Sequence, residues 1–204
     1  MTDHRTLPRR RGDVLNSAIF EATLDELAEV GYAKLTMEKV AARAGASKAS
    51  VYRRWPSRME LVLDAVHHLA PDPTETPDTG SLRGDALAFM RAAAKLLSGP
   101  GGEALRGLLG DALADPSRTL ELRRHSRGTG HRIMQEIVQR AAARGEINPA
   151  AITPRRLDVA QAMLREQFLF HGPPIPDAVI VEIVDETVLP LFLGRVQAHD
   201  SHSG

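Results

Sequence analysis

The stretch GASKASVYRRWPSRMEL, residues 45–61, sets four basic side chains (Lys48, Arg53, Arg54, Arg58) around the chain's single tryptophan, Trp55, with no acid before Glu60. Residues of these types do the chemistry of anion recognition. A guanidinium offers forked donors that fit a phosphate, and a lysine is long enough to reach the acceptor edge of guanine. The bias is local. The chain as a whole carries 26 Lys+Arg against 26 Asp+Glu. Residues 1–58 hold 11 basic side chains and 7 acidic ones, residues 59–204 hold 15 and 19, and Lys39 to Arg58 contains six positive charges and no negative one. Either this is a solvated charged face, or the N-terminal part meets a polyanion.

Other chemistries find little support. The sequence has no cysteine, which excludes disulfides, thiol catalysis and thiolate metal sites. The carboxylates of DELAE and EIVDE fall at helical spacings, but no nucleophile–base arrangement, phosphate loop or dinucleotide fingerprint accompanies them. His67, His68, His125, His131 and His171 are scattered, and adjacent histidines on a helix point about 100° apart, poorly placed to share a metal. No catalytic residue, metal site or cofactor is assigned, and the chain does not read as an enzyme. The N-terminal MTDHRTLPRRRGD lacks the apolar core of a signal peptide, and no apolar run approaches the ~20 residues of a membrane span. A soluble, cytoplasmic protein is expected.

The elements that must position the cations are helices. Apolar residues recur at three and four along most of the chain, so the fold class is all-α. Leu15, Ile19, Ala22, Leu24, Leu27 and Val30 stripe a first helix over 14–30, which Gly31 stops. Thr36 and Ser47 stand where N-caps belong, opening two short helices that meet at a turn through Gly45, and Ser57 caps a fourth with Glu60 three residues on. Val40, Ala41, Ala44 and Val51 are small apolar contacts that let the short helices cross steeply. This is a helix-turn-helix, whose second helix enters the DNA major groove. Lys48, Ala49 and Ser50 then face base edges, Tyr52, Arg53 and Arg54 flank them, and Arg58 stands at a helix start whose dipole favours a phosphate. Trp55 reads as core. The basic RTLPRRR run, residues 5–11, reads as an arm making weak phosphate contacts rather than base contacts, or as a solubilising tail.

GYAKLTMEKVAARAGASKASVYRRWPSRMEL, residues 31–61, closely resembles the DNA-binding domain of TetR-family transcriptional regulators. The matching positions are Gly31, Tyr32, Thr36, Val40, Ala41, Ala44, Gly45, Ser47, Val51, Tyr52, Arg58, Glu60 and Leu61; Ala46 replaces the usual valine and Trp55 the usual phenylalanine. The resemblance covers residues 14–64, about a quarter of the chain. It implies a homodimer on a palindromic double-stranded DNA operator, usually a repressor, released when a small molecule binds the C-terminal domain. By analogy Thr36, Tyr52 and Arg58 touch phosphates, and Ser47 to Ser50 lie at the DNA. A transcriptional activator and a regulator without a ligand are the alternatives within the class, and a helical enzyme or a scaffold with a vestigial helix-turn-helix is the alternative outside it.

Residues 1–58 are thus expected to read DNA, and 59–204 to bind a ligand and dimerise, in about nine helices overall. PDPTETPDTG (71–80) is a loop by composition, and helices are expected over 81–98, 102–114, 117–144, 154–171 and 176–196, the last disturbed by Pro190. Phe89, Met90, Leu97, Leu109, Met134, Ile137, Met163 and Phe168 either line a mostly apolar pocket or fill a core. The final two helices are apolar on more than one side. One carries Leu157, Ala160, Leu164 and Phe168 on one stripe and Val159, Met163 and Phe170 on another. A helix hydrophobic nearly all round needs cover on both faces. Leu164, Ile180, Ile183, Val184, Val188 and Leu191 are accordingly expected at a subunit interface.

Overall fold

The computed structural model describes residues 7–69, 76–115 and 129–194, all of whose regular elements are helices. The arm at Arg5, the loop at 71–75, the first part of the helix expected over 117–144, His125 and residues 195–196 lie outside the described residues.

The chain divides into two compact units. The first gathers α1 (Leu7–Lys34), α2 (Met37–Arg43), α3 (Lys48–Arg54), α4 (Arg58–Leu69) and α6 (Pro100–Ala114). The helical path of α1 breaks at Gly31, whose φ of 73° suits a residue without Cβ. The Thr36 hydroxyl accepts from Lys39 N at 3.3 Å and opens α2. Gly45, at φ 62°, turns the chain, and the Ser47 hydroxyl accepts from Ser50 N at 3.2 Å to open α3. The Ser57 hydroxyl accepts from Glu60 N at 3.2 Å and starts α4. Each cap satisfies an amide that the first turn of a helix leaves without a partner.

Ile19, Leu27, Leu35, Val40, Val51, Leu61 and Val62 share one core with Ala104, Leu108 and Ala112 of α6. Trp55 belongs to it too. Its ring meets Phe20 edge-on at 5.3 Å, and its indole N–H donates to Asp64 at 2.9 Å. The first compact unit runs past residue 58 and includes α4. Leu61, Val62 and Ala65 are fully buried on α4, and α4 cannot leave the first unit without exposing them.

The second unit contains most of α5 (Leu82–Leu97), with α7 (Thr129–Ala143), α8 (Pro154–His171), α9 (Asp177–Glu182), a π-helical stretch (Ile183–Val188) and α10 (Leu189–Leu193). Dihedrals stay helical from α9 through α10. The wide turn answers Pro190: Leu189 N reaches back five residues to the Val184 carbonyl, giving room where a proline ring would crowd the preceding turn. Met90, Met134, Ile137, Leu164, Phe168, Val184 and Phe192 fill the core. Arg83 forks onto Asp185 at 2.7 and 2.8 Å, and Arg91 onto Asp177 at 2.6 and 2.8 Å. Pairs eight residues apart on both strands of this ladder hold α5 antiparallel to the final helix. The fully buried Asp85 carboxylate accepts from Thr79 N and Oγ1, at 2.6 and 2.8 Å, and from Arg144 at 3.1 Å. That anchors the chain entering α5.

Candidate nucleic-acid interface

α3 buries Val51 completely and turns Ser47, Lys48, Ala49, Tyr52 and Arg53 outward. Ser50 and Arg54 are half-buried, because Arg54 folds back to donate to the Ser50 carbonyl at 2.9 Å and to its hydroxyl at 2.6 Å. Thr36 is exposed at the start of α2. Ser47, Lys48, Ala49, Tyr52 and Arg53 are thus exposed, while Ser50 and Arg54 face each other along the helix.

The acids that balance the one-sided 39–58 run come from elsewhere in the chain. Arg43 pairs with Glu26 at 2.9 Å and also with Glu29, while Lys39 lies 3.6 Å from Glu26, all tying α2 to α1. Lys48 pairs with Glu38 of α2 at 2.6 Å, and the Tyr52 hydroxyl donates to the same Glu38 oxygen at 2.9 Å. The hydrogen bond from Lys48, then those from the backbone and Tyr52, hold the Glu38 carboxyl down at about 2. In return Glu38 raises both Lys48 and Tyr52 above their ordinary values. Arg53 alone of the six has no partner among the described residues.

Arg58 is placed differently from the cations of α3. Its guanidinium does not point out at the head of α4. It donates to the carbonyls of Tyr32, Ala33 and Leu35 at 3.1, 3.3 and 3.3 Å and to Asp111 of α6 at 2.9 Å. It also lies 4.2 Å from the centre of the Tyr32 ring. Burial pushes the Tyr32 phenol up, against the opposing pull of Arg58. The carbonyls left over at the end of α1 want a cation, and Arg58 is within reach. In this arrangement its Nη1 and Nη2 groups both donate within the protein, and the side chain remains 28% exposed.

Sequence reasoning missed Glu38 and Asp111. Glu38 is 10 and 14 residues from its partners, so no helical periodicity links them; the turn at Gly45 does. Asp111 is 53 residues from Arg58, and nothing local signals the pairing.

The residues proposed for a pocket are drawn from both units. Phe89, Met90, Met134, Ile137 and Phe168 are buried within the second unit. Leu97 and Leu109 belong to the first unit, where Leu109 packs against the core around α1. Met163 faces solvent. The proposed interface residues Leu164, Ile180, Ile183, Val184 and Val188 are buried in their own unit, and Leu191 is half-buried. They fill the inner side of their helices. The outer side of α8 instead shows Met163, Leu169 and Phe170, with Phe170 77% exposed. Among the described residues no group of three histidines or acids is placed to hold a metal ion, and no helix is long and apolar enough to cross a membrane.

Two family profiles match the chain: bacterial regulatory proteins of the tetR family over residues 19–65, and the tetracyclin repressor-like C-terminal domain over residues 76–187. An uncharacterized HTH-type transcriptional regulator of Mycobacterium tuberculosis is 34% identical over 84% of this chain and 85% of its own. The DNA-binding transcriptional repressor TetR of Mycobacteroides abscessus is 32% identical over 89% of this chain and 96% of its own. The crystal structure of the TetR family transcription regulator SCO0332 superposes with a TM-score of 0.72 at 29% identity, covering 85% of this chain and 96% of that one.

Proposed function

Since the chain belongs to the TetR family of DNA-binding transcriptional regulators, a family without enzymes, we propose that it is a cytoplasmic repressor that binds a palindromic operator as a homodimer and leaves it when a small, mostly apolar molecule binds the second unit. The observation that carries the DNA-binding half is the exposed face of α3. Lys48, Ala49, Tyr52 and Arg53 stand outward on a short helix that is capped by Ser47 and fixed from behind by Val51. Lys48 and Ala49 face base edges; Tyr52, Arg53 and Thr36 meet the backbone, and Ser47 and Ser50 lie between. Arg58 and Arg54 act from within the fold, by holding the N-terminal unit and α3 in shape. The Mycobacteroides abscessus relative is a transcriptional repressor by name.

Dimerisation falls to the outer stripe of α8. Val159, Met163 and Phe170 lie on one face of that helix, and with Phe170 77% exposed a second subunit covering the stripe would remove apolar surface from water. The effector reading rests on Phe89, Met90, Met134, Ile137 and Phe168, an apolar set with aromatic and thioether members and no charge among them. A near-complete switch needs the effector to favour the DNA-free state by ~5.5 kcal/mol. Footprinting on DNA upstream of the protein's own coding region tests the proposal, with apolar and charged compounds added to the complex. Protection of a two-fold symmetric site, lost on adding apolar compounds, is the expected result. Release by highly charged hydrophilic compounds alone would overturn the effector reading.

A further inference from the structure

One acid, Glu38, stands in the 36–54 span that carries the candidate interface. Its position is specific. A single oxygen, Oε1, accepts from Lys48 Nζ at 2.6 Å and from the Tyr52 hydroxyl at 2.9 Å. Those two side chains are one helical turn apart on α3, and the ammonium lies 5.7 Å from the Tyr52 ring centre. The three groups close on each other at the surface, with the Glu38 and Lys48 side chains 47% and 62% exposed.

Holding the fold does not account for this arrangement. An exposed ion pair gains little in water, and α2 is already fixed on α3 by the buried Val40 and Val51 and by the caps at Thr36 and Ser47. The consequence is electrostatic. A lysine on a DNA-facing helix ordinarily adds affinity for every sequence, because any phosphate within reach releases a counterion. A lysine already held by a carboxylate gives that affinity up. It leaves the carboxylate only for a better partner, such as the two acceptors on a guanine edge presented in register.

We propose that Glu38 is a specificity-determining residue: it occupies Lys48 so that the ammonium does not bind an arbitrary phosphate, and it releases Lys48 only to the matching base of the operator. This rests on the DNA-binding reading given above. Arg53, Tyr52, Thr36 and the backbone amides would then supply the sequence-independent contacts, and Lys48 would enter only the specific complex.

Two variants test it, each measured on the duplex selected by the wild-type protein and on a random-sequence duplex of equal length, over a series of salt concentrations. Glu38→Gln removes the charge that holds Lys48 and keeps an acceptor for Tyr52. It is expected to bind random duplex about ten-fold tighter, with the salt slope steeper by about 0.9 per subunit, while operator affinity changes less than three-fold. Discrimination therefore falls. Lys48→Met with Glu38 intact is expected to weaken operator binding and leave the random-duplex salt slope as it was; in that background Glu38→Gln adds nothing to the slope. Trp55 fluorescence and thermal unfolding report whether each variant keeps its fold.

A Glu38→Gln protein with an unchanged random-duplex slope overturns the proposal. So does a Lys48→Met protein whose random-duplex slope falls by about one unit per subunit, a result that does not depend on Glu38→Gln folding. If the wild-type protein discriminates operator from random duplex and either result appears, the proposal alone fails. If the wild-type protein binds neither duplex, the DNA-binding reading fails and takes the proposal with it.

Discussion

At the scale of single residues, the same charge does different work according to what it faces. Lys48, Arg53 and Arg58 are all cations within eleven residues of one another. Arg53 is exposed, Lys48 is held at the surface by Glu38, and Arg58 is turned inward onto three carbonyls and Asp111. Arg53→Ala should lower affinity for all sequences alike and reduce the salt slope by about one unit per subunit, read from binding isotherms in a salt series. Arg58→Ala should leave that slope unchanged and cost stability of about 2–3 kcal/mol, since charge-assisted bonds to half-buried groups are lost. Denaturant unfolding of the first unit, followed by Trp55, measures it. If Arg58→Ala instead unfolds normally and weakens DNA binding with a smaller salt slope, its guanidinium reaches a phosphate after all.

The elements show how far local sequence rules carry. Thr36, Ser47 and Ser57 are caps in the structure as their hydroxyls and positions require, and Gly31 and Gly45 take the positive φ that a stop and a turn need. These features are local, within four residues, and a sequence shows them directly. The membership of α6 in the first unit is not local. It rests on Ala104, Leu108 and Ala112 meeting a core built from residues 19–62, and on Gly107, where an added Cβ would lie 2.1 Å from Tyr32 Cβ. No motif marks a glycine whose reason is a ring 75 residues away. The two-sided apolar pattern of 154–193 likewise announced that both faces would be covered, but could not say which face met the chain's own core. Leu164 and Val184 proved to be inside and Met163 and Phe170 outside. Gly107→Ala should therefore destabilise by about 1–3 kcal/mol through overpacking against Tyr32. A thermal melt of that variant matching the wild type would show that α6 can shift without cost.

For the whole molecule, the exposed stripe of α8 is the proposed subunit interface. Phe170→Asp puts a charge on a side chain that is free in the single chain, so the variant should stay folded, sediment as a monomer and lose operator binding. Ile180→Asp places a charge where the side chain is 3% exposed, and an unpaired buried charge is costly enough to unfold the unit. Circular dichroism together with sedimentation separates the two. A Phe170→Asp protein that remains dimeric would move the interface elsewhere. Acid stability is also a property of the whole chain. Partners hold Glu136, Glu146, Asp177 and Asp185 below their ordinary values of 4.5 and 3.8. The unfolded chain then binds protons more readily than the folded one, so these pairs stabilise the fold above about pH 4.5 and their contribution disappears as pH falls through the lowered values. Melting temperature should be flat from pH 7 to about pH 5.5 and fall below about pH 4.5.

The central claim is that two copies of α3, related by two-fold symmetry, read base edges through Lys48. Selection of binding sites from a random duplex library, with wild-type protein and with Lys48→Ala in parallel, tests it most directly. The wild-type protein should enrich a palindrome whose half-sites lie about 34–36 Å apart or a multiple of it. Lys48→Ala should lose about 1–3 kcal/mol and relax preference at one position in each half-site, the two placed symmetrically about the centre. Enrichment of a site without two-fold symmetry, or of the same sequence at uniformly lower affinity by Lys48→Ala, would contradict it.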